Sequence, residues 1–254
     1  MTFTVVIPAR YASTRLPGKP LAPIAGRPMI LHVWDRAMAA GAARVLIATD
    51  HARIAAACRE AGAEVAMTSA AHASGTDRIN EAVSGLGLGP EEVVVNVQGD
   101  EPLMPAENIR QVAELAARPG TDMATLHVPI TSLEEFLNPA VVKVVADDHD
   151  RALYFSRAPI PWPRDVDVDE TGRPGAFDGA LRHLGIYAYK VAALQRFAAH
   201  PAAPLENIER LEQLRALAIG MTIRVQAAAS LPPPGVDTPA DLEAVRALIE
   251  EGQA

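Results

Sequence analysis

Short apolar runs that do not alternate with polar residues recur along the first half of the chain. They cover residues 3–7, 45–49 and 93–97. Parallel strands that are covered on both faces show continuous runs of this kind, whereas half-exposed strands alternate. We therefore predict buried strands here. Later strands are predicted at residues 123–128, 141–145, 184–189 and 222–226.

Helical patterns fill the intervals between these runs. Pro28 can begin a helix, because proline suits the first helical position. Further helices are predicted at residues 52–61 and 76–83, the second with Thr76 or Asp77 as its cap.

Two helices are predicted near the end of the chain. One spans residues 205–219, where apolar residues recur every three positions and would form one buried face. Those residues are Leu205, Ile208, Leu211 and Leu214. The other begins at Thr238, with proline at the first helical position and Asp241 at the third. Its buried face would be formed by Leu242, Val245, Leu248 and Ile249.

Alternation of strands and helices predicts an α/β fold with a doubly wound, mostly parallel sheet. We expect one domain over residues 1–254. The alternation breaks at about residues 154–182, which we interpret as a smaller inserted lobe. This stretch could be a flexible loop or an arm that packs on another subunit, and Trp162 between two prolines favours the arm.

Composition excludes several classes of protein. With 23 basic and 31 acidic residues the formal net charge is −8, so binding to nucleic acid or to an anionic membrane is not expected. Cys58 is the only cysteine, so no intramolecular disulfide can form, and its helical, Ala-rich surroundings indicate a core residue. No signal segment or membrane-spanning run is visible, and we expect a cytoplasmic protein.

A basic, irregular segment follows the first predicted strand. It reads IPARYASTRLPGKPL over residues 7–21 and contains Arg10, Arg15 and Lys19. Ligands of open α/β sheets bind beyond the carboxyl ends of the strands, so this loop could surround a triphosphate. A solvated basic loop is the alternative. The segment contains neither a P-loop motif nor a dinucleotide fingerprint, which argues against both of those protein classes.

Two acidic positions suggest a partner for that loop. Gln98 and Asp100 directly follow a buried strand, with Gly99 between them, and Asp237 precedes the last helix. Single carboxylates without a His/Cys cluster suit an oxygen-liking cation such as Mg²⁺. Taken separately, Asp100 could be a turn residue and Asp237 an extra cap. Together with the cationic loop they predict a Mg²⁺-nucleotide site.

Eight motifs, in order over almost the whole chain, resemble the 3-deoxy-manno-octulosonate (KDO) cytidylyltransferase family. They are IPARYASTRLPGKPL, ATDH (48–51), SGTDR (74–78), VNVQGDEP (95–102), ALYFSRAPIPW (152–162), RHLGIYAY (182–189), LEQLR (211–215) and GVDTP (235–239). The first motif alone indicates only the wider sugar nucleotidyltransferases, whereas RHLGIYAY and GVDTP are more specific. Residues 165–178 match least.

The resemblance implies a reaction, CTP + KDO → CMP-KDO + pyrophosphate, and a set of site residues. Catalysis would depend on Arg15, Lys19, Asp100 and Asp237, the two aspartates holding Mg²⁺. The nucleotide would be bound by Ala9, Arg10, Arg15, Lys19, Ser74, Gly75 and Arg78. The sugar would be bound by Gln98, Arg157, His183, Tyr187, Glu212 and Gln213. A plain helix-start glycine remains the alternative for Gly75, a structural histidine for His183 and a sheet residue for Tyr187.

The resemblance also implies a homodimer and a role in lipopolysaccharide synthesis. Two other functions remain open at this point. The same chemistry could act on another acid sugar, such as a sialic acid or an amino analogue of KDO. A nucleotide-binding protein without catalysis is the alternative from a different class.

Overall fold

The computed structural model describes residues 1–12, 16–72, 74–167 and 177–250. The strands are β1 Phe3–Ala9, β2 Pro23–Ile24, β3 Arg27–Pro28, β4 Arg44–Thr49, β5 Glu64–Met67, β6 Val93–Asn96, β7 Met123–Pro129, β8 Lys143–Ala146, β9 Ala152–Ser156, β10 Leu181–Lys190 and β11 Ile223–Ala227. The α-helices are α1 Met29–Ala39, α2 Ala52–Glu60, α3 Gly75–Ser84, α4 Ala106–Ala116, α5 Leu133–Leu137, α6 Val191–Ala198, α7 Pro204–Glu209, α8 Gln213–Ala218 and α9 Pro239–Glu250.

One large mixed sheet organises the described part of the chain. Its strand order is β11-β7-β10-β6-β1-β4-β5, and β8 and β9 extend it beside β10. Within the seven-strand order, neighbours pair in parallel except at β10, which runs antiparallel to both β6 and β7. The added strands β8 and β9 pair antiparallel with each other, and β8 pairs antiparallel with β10. The other six strands of this order therefore point the same way. The predicted α/β, mostly parallel sheet is confirmed.

Helices cover both faces of this sheet, as the continuous apolar runs predict. Val5 and Ile7 of β1 face one layer, which contains α1, α2 and α4. Val6 faces the opposite layer, which contains α3, α6 and α8. Successive side chains of a strand point to opposite faces, so both sets must be apolar.

The predicted single helix over residues 205–219 is wrong. The structure has two short helices, α7 and α8, separated at Arg210, whose φ of 54° is left-handed. Glu206 and Arg215 form a buried ion pair with a 2.6 Å contact. In one continuous helix these two residues, nine positions apart, would be separated by about 13 Å along the axis. Closing the ion pair therefore requires the break.

The break also changes which apolar residues are buried. Leu205 and Ile208 on α7 are 46% and 77% exposed, whereas Leu211 and Leu214 are buried. The regular spacing of three residues thus spans two elements that face different surroundings.

Other local predictions differ from the structure in smaller ways. Helix α3 is capped by Ser74, whose Oγ accepts from Asp77 N at 3.1 Å, so the predicted cap at Thr76 or Asp77 is wrong. Strands β2, β3, β5 and β9 and helices α4, α5 and α6 were not predicted. Most of these elements are short, but α4 has 11 residues and buries Ile109, Val112 and Ala113, a helical pattern that sequence reasoning missed. The last helix, α9, begins where predicted and buries Leu242 and Val245.

The expected lobe is only partly visible. Residues 154–156 belong to β9 and residues 181–182 to β10, so both ends of the stretch lie in the main sheet. Residues 168–176 lie outside the described residues, and the lobe stays a prediction.

Two further expectations concern Cys58 and membrane-spanning segments. Cys58 lies on α2 and is fully buried in the core, and burial raises the pKa of its thiol to about 11, as suits a core residue. Among the described residues, no helix combines the length and the apolar character that crossing a membrane requires.

Candidate active site

A cleft opens where strands β1 and β6 end at the same edge of the sheet. It has a volume of about 430 Å³. Its lining residues are Pro8, Ala9, Arg10, Ala12, Lys19, Pro20, Gly75, Gln98, Gly99, Asp100 and Asp237. The cleft thus brings together predicted residues from four separate motifs at the edge where open α/β sheets bind ligands.

Gly99 allows the two strand ends to approach closely. A Cβ at this position would lie 2.7 Å from Pro8 O and 3.2 Å from Ile30 Cδ1. The first contact is with backbone, which cannot move away easily, so only glycine fits here.

Lys19 links the two predicted metal ligands. Its Nζ donates to Asp100 Oδ2 at 2.6 Å and to Asp237 Oδ1 at 3.2 Å. The same ammonium donates to Val236 O at 2.8 Å, and Val236 N donates to Asp100 O at 2.8 Å. The GVDTP segment is therefore fixed against the QGD turn, so that one cation and two carboxylates meet at one wall of the cleft.

The conformation of the basic loop directs Lys19 inward. Gly18 has a φ of +70°, and its N donates to Tyr11 O at 3.2 Å. A short 3₁₀ turn over Lys19–Leu21 follows. The ring of Tyr11 stacks on the ring of His51, with centroids 3.9 Å apart. Its hydroxyl accepts a hydrogen bond from Arg53 Nη1 at 2.9 Å. The loop is therefore anchored to the turn after β4.

Arg10 presents an unused donor. Its Nη2 is buried and has no hydrogen-bond partner within the described residues. A buried, unsatisfied guanidinium nitrogen is costly, so its presence at a cleft indicates a site for an anionic ligand. Arg15, the third cation of the loop, lies outside the described residues.

Glu101 lies directly behind this wall. Burial, followed by the nearby charges of Asp100 and Asp237, raises the pKa of its carboxyl to about 8, and Lys19 opposes the shift. Glu101 Oε1 would be 2.8 Å from a Cβ on Gly235, so that glycine leaves room for the carboxyl.

The SGTDR motif forms the first turn of α3. Gly75 lines the cleft, and a Cβ there would meet Pro8 Cγ at an ordinary 3.6 Å, so packing alone does not demand glycine. Arg78 is fully buried, and its Nη2 donates to Asp50 Oδ2 at 2.6 Å. The structure thus places this guanidinium in an internal ion pair, and its nucleotide role stays a prediction.

A bulge in β10 presents two of the predicted sugar residues. The pairing with β7 shifts between Leu184 and Tyr187. Thr125 Oγ1 lies 3.0 Å from Leu184 O and 2.8 Å from Ile186 O, and it hydrogen-bonds His183 Nε2 at 2.9 Å. Because the hydroxyl proton is directed to the carbonyls, Nε2 of the imidazole must carry the donated proton.

His183 is a neutral group in this setting. The residue is partly exposed as a whole, but its ring packs against Phe155 at 5.0 Å and Tyr187 at 5.3 Å between centroids. Burial lowers the pKa of His183 to about 3, with His127 adding to the shift. Burial also raises the pKa of Tyr187 well above its usual value. Both rings therefore offer uncharged hydrogen-bonding groups at neutral pH.

Glu212 and Gln213 reach the same region from the start of α8, where Glu212 is the N-cap and Gln213 the first helical residue. Glu212 Oε2 accepts from Thr76 Oγ1 at 2.9 Å, while Oε1 is buried without a hydrogen-bond partner among the described residues. Gln213 is buried. Gln98 Nε2 donates at 3.2 Å to Oδ1 of Asn96, the last residue of β6, which lies two positions earlier in the chain.

Arg157 lies at the end of β9 and is held separately from the other predicted sugar residues. Its Nε donates to Glu209 O at 2.7 Å and its Nη1 to Pro139 O at 3.0 Å. It follows Phe155, whose ring contacts His183, by two positions.

Several residues of this region were missed by sequence reasoning. They are Thr76, Asn96, Thr125, Lys143 and Glu209. Asn96, Thr125 and Lys143 could have been found, because each is a polar residue in an otherwise largely apolar strand. Thr76 and Glu209 carry no such signal.

The oxygen-only donor set of Asp100 and Asp237 fits Mg²⁺. This ion commonly takes one or two protein carboxylates and completes its shell with water and phosphate oxygens. Among the described residues there is no cluster of three or more His, Cys, Asp or Glu that could hold a metal.

Comparisons with known proteins agree with this geometry. The family model described as Cytidylyltransferase matches residues 4–223. A 3-deoxy-manno-octulosonate cytidylyltransferase from Cellvibrio japonicus is 58% identical over the full length of both chains. One from Halorhodospira halophila is 57% identical over 96% of this chain and 95% of its own length.

A solved structure shows the same arrangement of elements. CMP:2-keto-3-deoxy-manno-octonic acid synthetase, in complex with CTP, superposes with a TM-score of 0.88 at 42% identity, covering 99% of this chain and 100% of the other. The chain therefore belongs to the cytidylyltransferase family and, within it, to the 3-deoxy-manno-octulosonate cytidylyltransferases.

Proposed function

We propose that the protein transfers CMP from CTP to the anomeric hydroxyl of KDO, releasing pyrophosphate and activating KDO for lipopolysaccharide synthesis. The observation that carries the proposal is the cleft in which Lys19, Asp100 and Asp237 meet. Relatives at 58% and 57% identity bear the name of this activity, and the superposed synthetase was solved with CTP.

In this reaction the sugar oxygen attacks the α-phosphorus of CTP as the bond to the β-phosphate oxygen breaks. The hydroxyl proton is released, and the protein positions the reactants and stabilises charge. Lys19 and Arg10, whose Nη2 has no hydrogen-bond partner within the described part of the chain, would bind the triphosphate and the departing pyrophosphate. Arg15 is proposed for the same role on the resemblance alone.

Asp100 and Asp237 would hold Mg²⁺ at the wall of the cleft. When bound, this ion supplies charge stabilisation at the phosphate oxygens and lowers the pKa of a nearby hydroxyl. Lys19 keeps the two carboxylates close together, so that they are pre-arranged for a cation.

The sugar would lie against β10 and the turn before α8. Glu212 Oε1, buried without a hydrogen-bond partner in the described part of the chain, can accept from a sugar hydroxyl. Neutral His183 and Tyr187 suit further hydroxyls, and Gln98 and Gln213 are proposed for the same role on the resemblance alone. Arg157 would pair with the carboxylate of KDO.

Pyrophosphate release from CTP tests the reaction directly. We expect release only when KDO and Mg²⁺ are both present, and loss of release in EDTA that excess Mg²⁺ restores. Release from CTP without any sugar would contradict the proposal, and activity that persists in EDTA would remove the metal from it.

Two alternatives are separated by the same assay. A panel of KDO, its amino analogue and a sialic acid measures the sugar preference, and equal kcat/KM for a sialic acid would overturn the choice of KDO. CTP binding without turnover on any sugar of the panel would favour the nucleotide-binding protein without catalysis.

We also propose that the protein works as a homodimer in the cytoplasm, where CTP is available. Leu153 on β9 and Ile208 on α7 are 59% and 77% exposed, and the two elements are joined by the bond from Ser156 Oγ to Glu209 Oε1 at 2.7 Å. Exposed apolar side chains on adjoining elements suit a subunit interface. Light scattering should show a dimer that Ile208→Arg weakens, while Leu231→Arg, at another exposed leucine, should not.

A further inference from the structure

Lys143 is a charged residue in the interior of the protein. It has no exposed surface and lies on β8 between valines. Its Nζ donates to the backbone oxygens of Asn138 at 2.9 Å, Val141 at 2.6 Å and Arg157 at 2.7 Å. Burying an ammonium is expensive unless its donors are satisfied, and here three carbonyls satisfy them.

These three contacts join two segments of the chain. Asn138 and Val141 belong to the loop before β8, whereas Arg157 follows β9. The loop also supplies Pro139 O, which accepts from Arg157 Nη1 at 3.0 Å. Lys143 therefore fixes both the backbone of Arg157 and the loop that touches its guanidinium.

Glu209 holds Arg157 from the other side. Its Oε2 accepts from Arg157 N at 2.8 Å, and its backbone oxygen accepts from Arg157 Nε at 2.7 Å. Its Oε1 accepts from Ser156 Oγ at 2.7 Å. Glu209 is the last residue of α7, so the break at Arg210 helps to place it.

The charges of this cluster suit an anionic ligand. Two cations, Lys143 and Arg157, face one carboxylate, that of Glu209, which leaves one positive charge in excess. Burial lowers the pKa of Lys143, Arg157 lowers it further, and Glu209 opposes both. The contacts to Glu209 and Pro139 use two of the five N–H donors of Arg157, so donors remain for a carboxylate.

We propose that Lys143 and Glu209 are positioning residues that hold Arg157 in the orientation in which it binds the carboxylate of the acid sugar. The inference rests on the proposed function, because it assigns the sugar carboxylate to Arg157. It adds that selectivity for an acid sugar depends on a buried lysine and on the end of α7, neither of which touches the substrate.

The test compares KDO with its neutral C1 amide, which lacks the negative charge. The variants are Lys143→Met and Glu209→Asp, with Lys190→Met as the matched control at the far end of β10, where Lys190 pairs with Glu91. We expect KM for KDO to rise roughly 10- to 100-fold in both variants, as when a supporting group is lost. The inhibition constant of the amide and KM for CTP should change less than about 2-fold, since no charge pairing is lost there.

An equal rise in KM for KDO and in the inhibition constant of the amide would show a merely structural role and overturn the proposal. A matching rise in KM for CTP would do the same. An unchanged KM for KDO in both variants would overturn it as well. If Lys143→Met does not fold, Glu209→Asp decides, because that residue is only partly buried. Absence of turnover of KDO by the wild-type protein would instead refute the proposed function.

Discussion

The ammonium of Lys19 lies between two carboxylates, Asp100 and Asp237, at 2.6 and 3.2 Å. Two carboxylates and one ammonium thus meet at the wall of the cleft. The opposite charge is found at Arg10, whose Nη2 is buried without a hydrogen-bond partner among the residues that the structure describes.

Replacement of either carboxylate should remove most of the activity. For Asp100→Asn or Asp237→Asn we expect kcat to fall by at least on the order of 10²-fold, as for other preorganised charge-stabilising groups. Pyrophosphate release at saturating CTP, KDO and Mg²⁺ measures this. Asp35→Asn, which removes an exposed partner of Arg27, is the matched control and should keep wild-type turnover. Near-normal kcat in both site variants would place the metal elsewhere.

A methyl group at Gly99 should destabilise the fold. The new Cβ would press on Pro8 O at 2.7 Å, and overpacking of this kind costs about 1–3 kcal/mol. Gly85→Ala is the control, since Gly85 has a helical φ of −84° and its Cβ would meet Ala82 O at 3.9 Å. Urea unfolding compares the two, and similar midpoints would show that the β1 and β6 ends can separate without loss.

At the scale of elements, apolar spacing predicts where strands and helices lie but not where a helix must stop. Residues 205–219 have a continuous helical pattern, yet the helix is interrupted at Arg210. The break is required by the contact between Glu206 and Arg215, and no local pattern contains that contact. It also places Glu209 beside Arg157.

Glycine should be tolerated at position 210, where Arg210 has a left-handed backbone conformation. Arg210→Gly relieves the cost of φ 54° for a residue with a Cβ and should raise the free energy of unfolding by up to about 1 kcal/mol. Arg196→Gly, inside α6, should lower it by about 1 kcal/mol. Thermal and urea unfolding of the two variants measure these changes in the free energy of unfolding. A loss of stability in Arg210→Gly would contradict backbone strain at Arg210.

At the scale of the whole molecule, burial of titratable groups couples stability to pH. His183 has a pKa of about 3 in the folded state, below the ordinary histidine value of 6.5. The unfolded chain therefore takes up the proton first as the pH falls. Stability from this residue is complete above pH 6.5 and is lost progressively between pH 6.5 and 3.

Acid titration of unfolding should reveal this coupling. Relative to His183→Gln, the free energy of unfolding of the wild-type protein should fall by up to about 1.4 kcal/mol per pH unit below pH 6.5. The contribution of Glu101 has the opposite sign but is common to both proteins, so it cancels in the difference. His149→Gln, at an exposed histidine, controls for the substitution itself. Parallel curves for wild type and His183→Gln would contradict the buried neutral imidazole.

The sequence by itself determined the class of fold and the chemical character of the site. Continuous apolar runs demanded strands covered on both faces, and their alternation with helices implied a sheet whose strand ends carry the ligands. The charged loop after β1 and Asp100 after β6 could be identified because each comes shortly after its strand.

Only the tertiary structure decided which of these groups act together. Lys19 meets residues 81 and 218 positions away, and Lys143 ties the loop before β8 to Arg157. The reversed direction of β10 and the break between α7 and α8 depend likewise on distant pairing. Local periodicity records whether a side chain is buried, because burial recurs with the period of the element. It does not record the partner, because that depends on how distant elements pack.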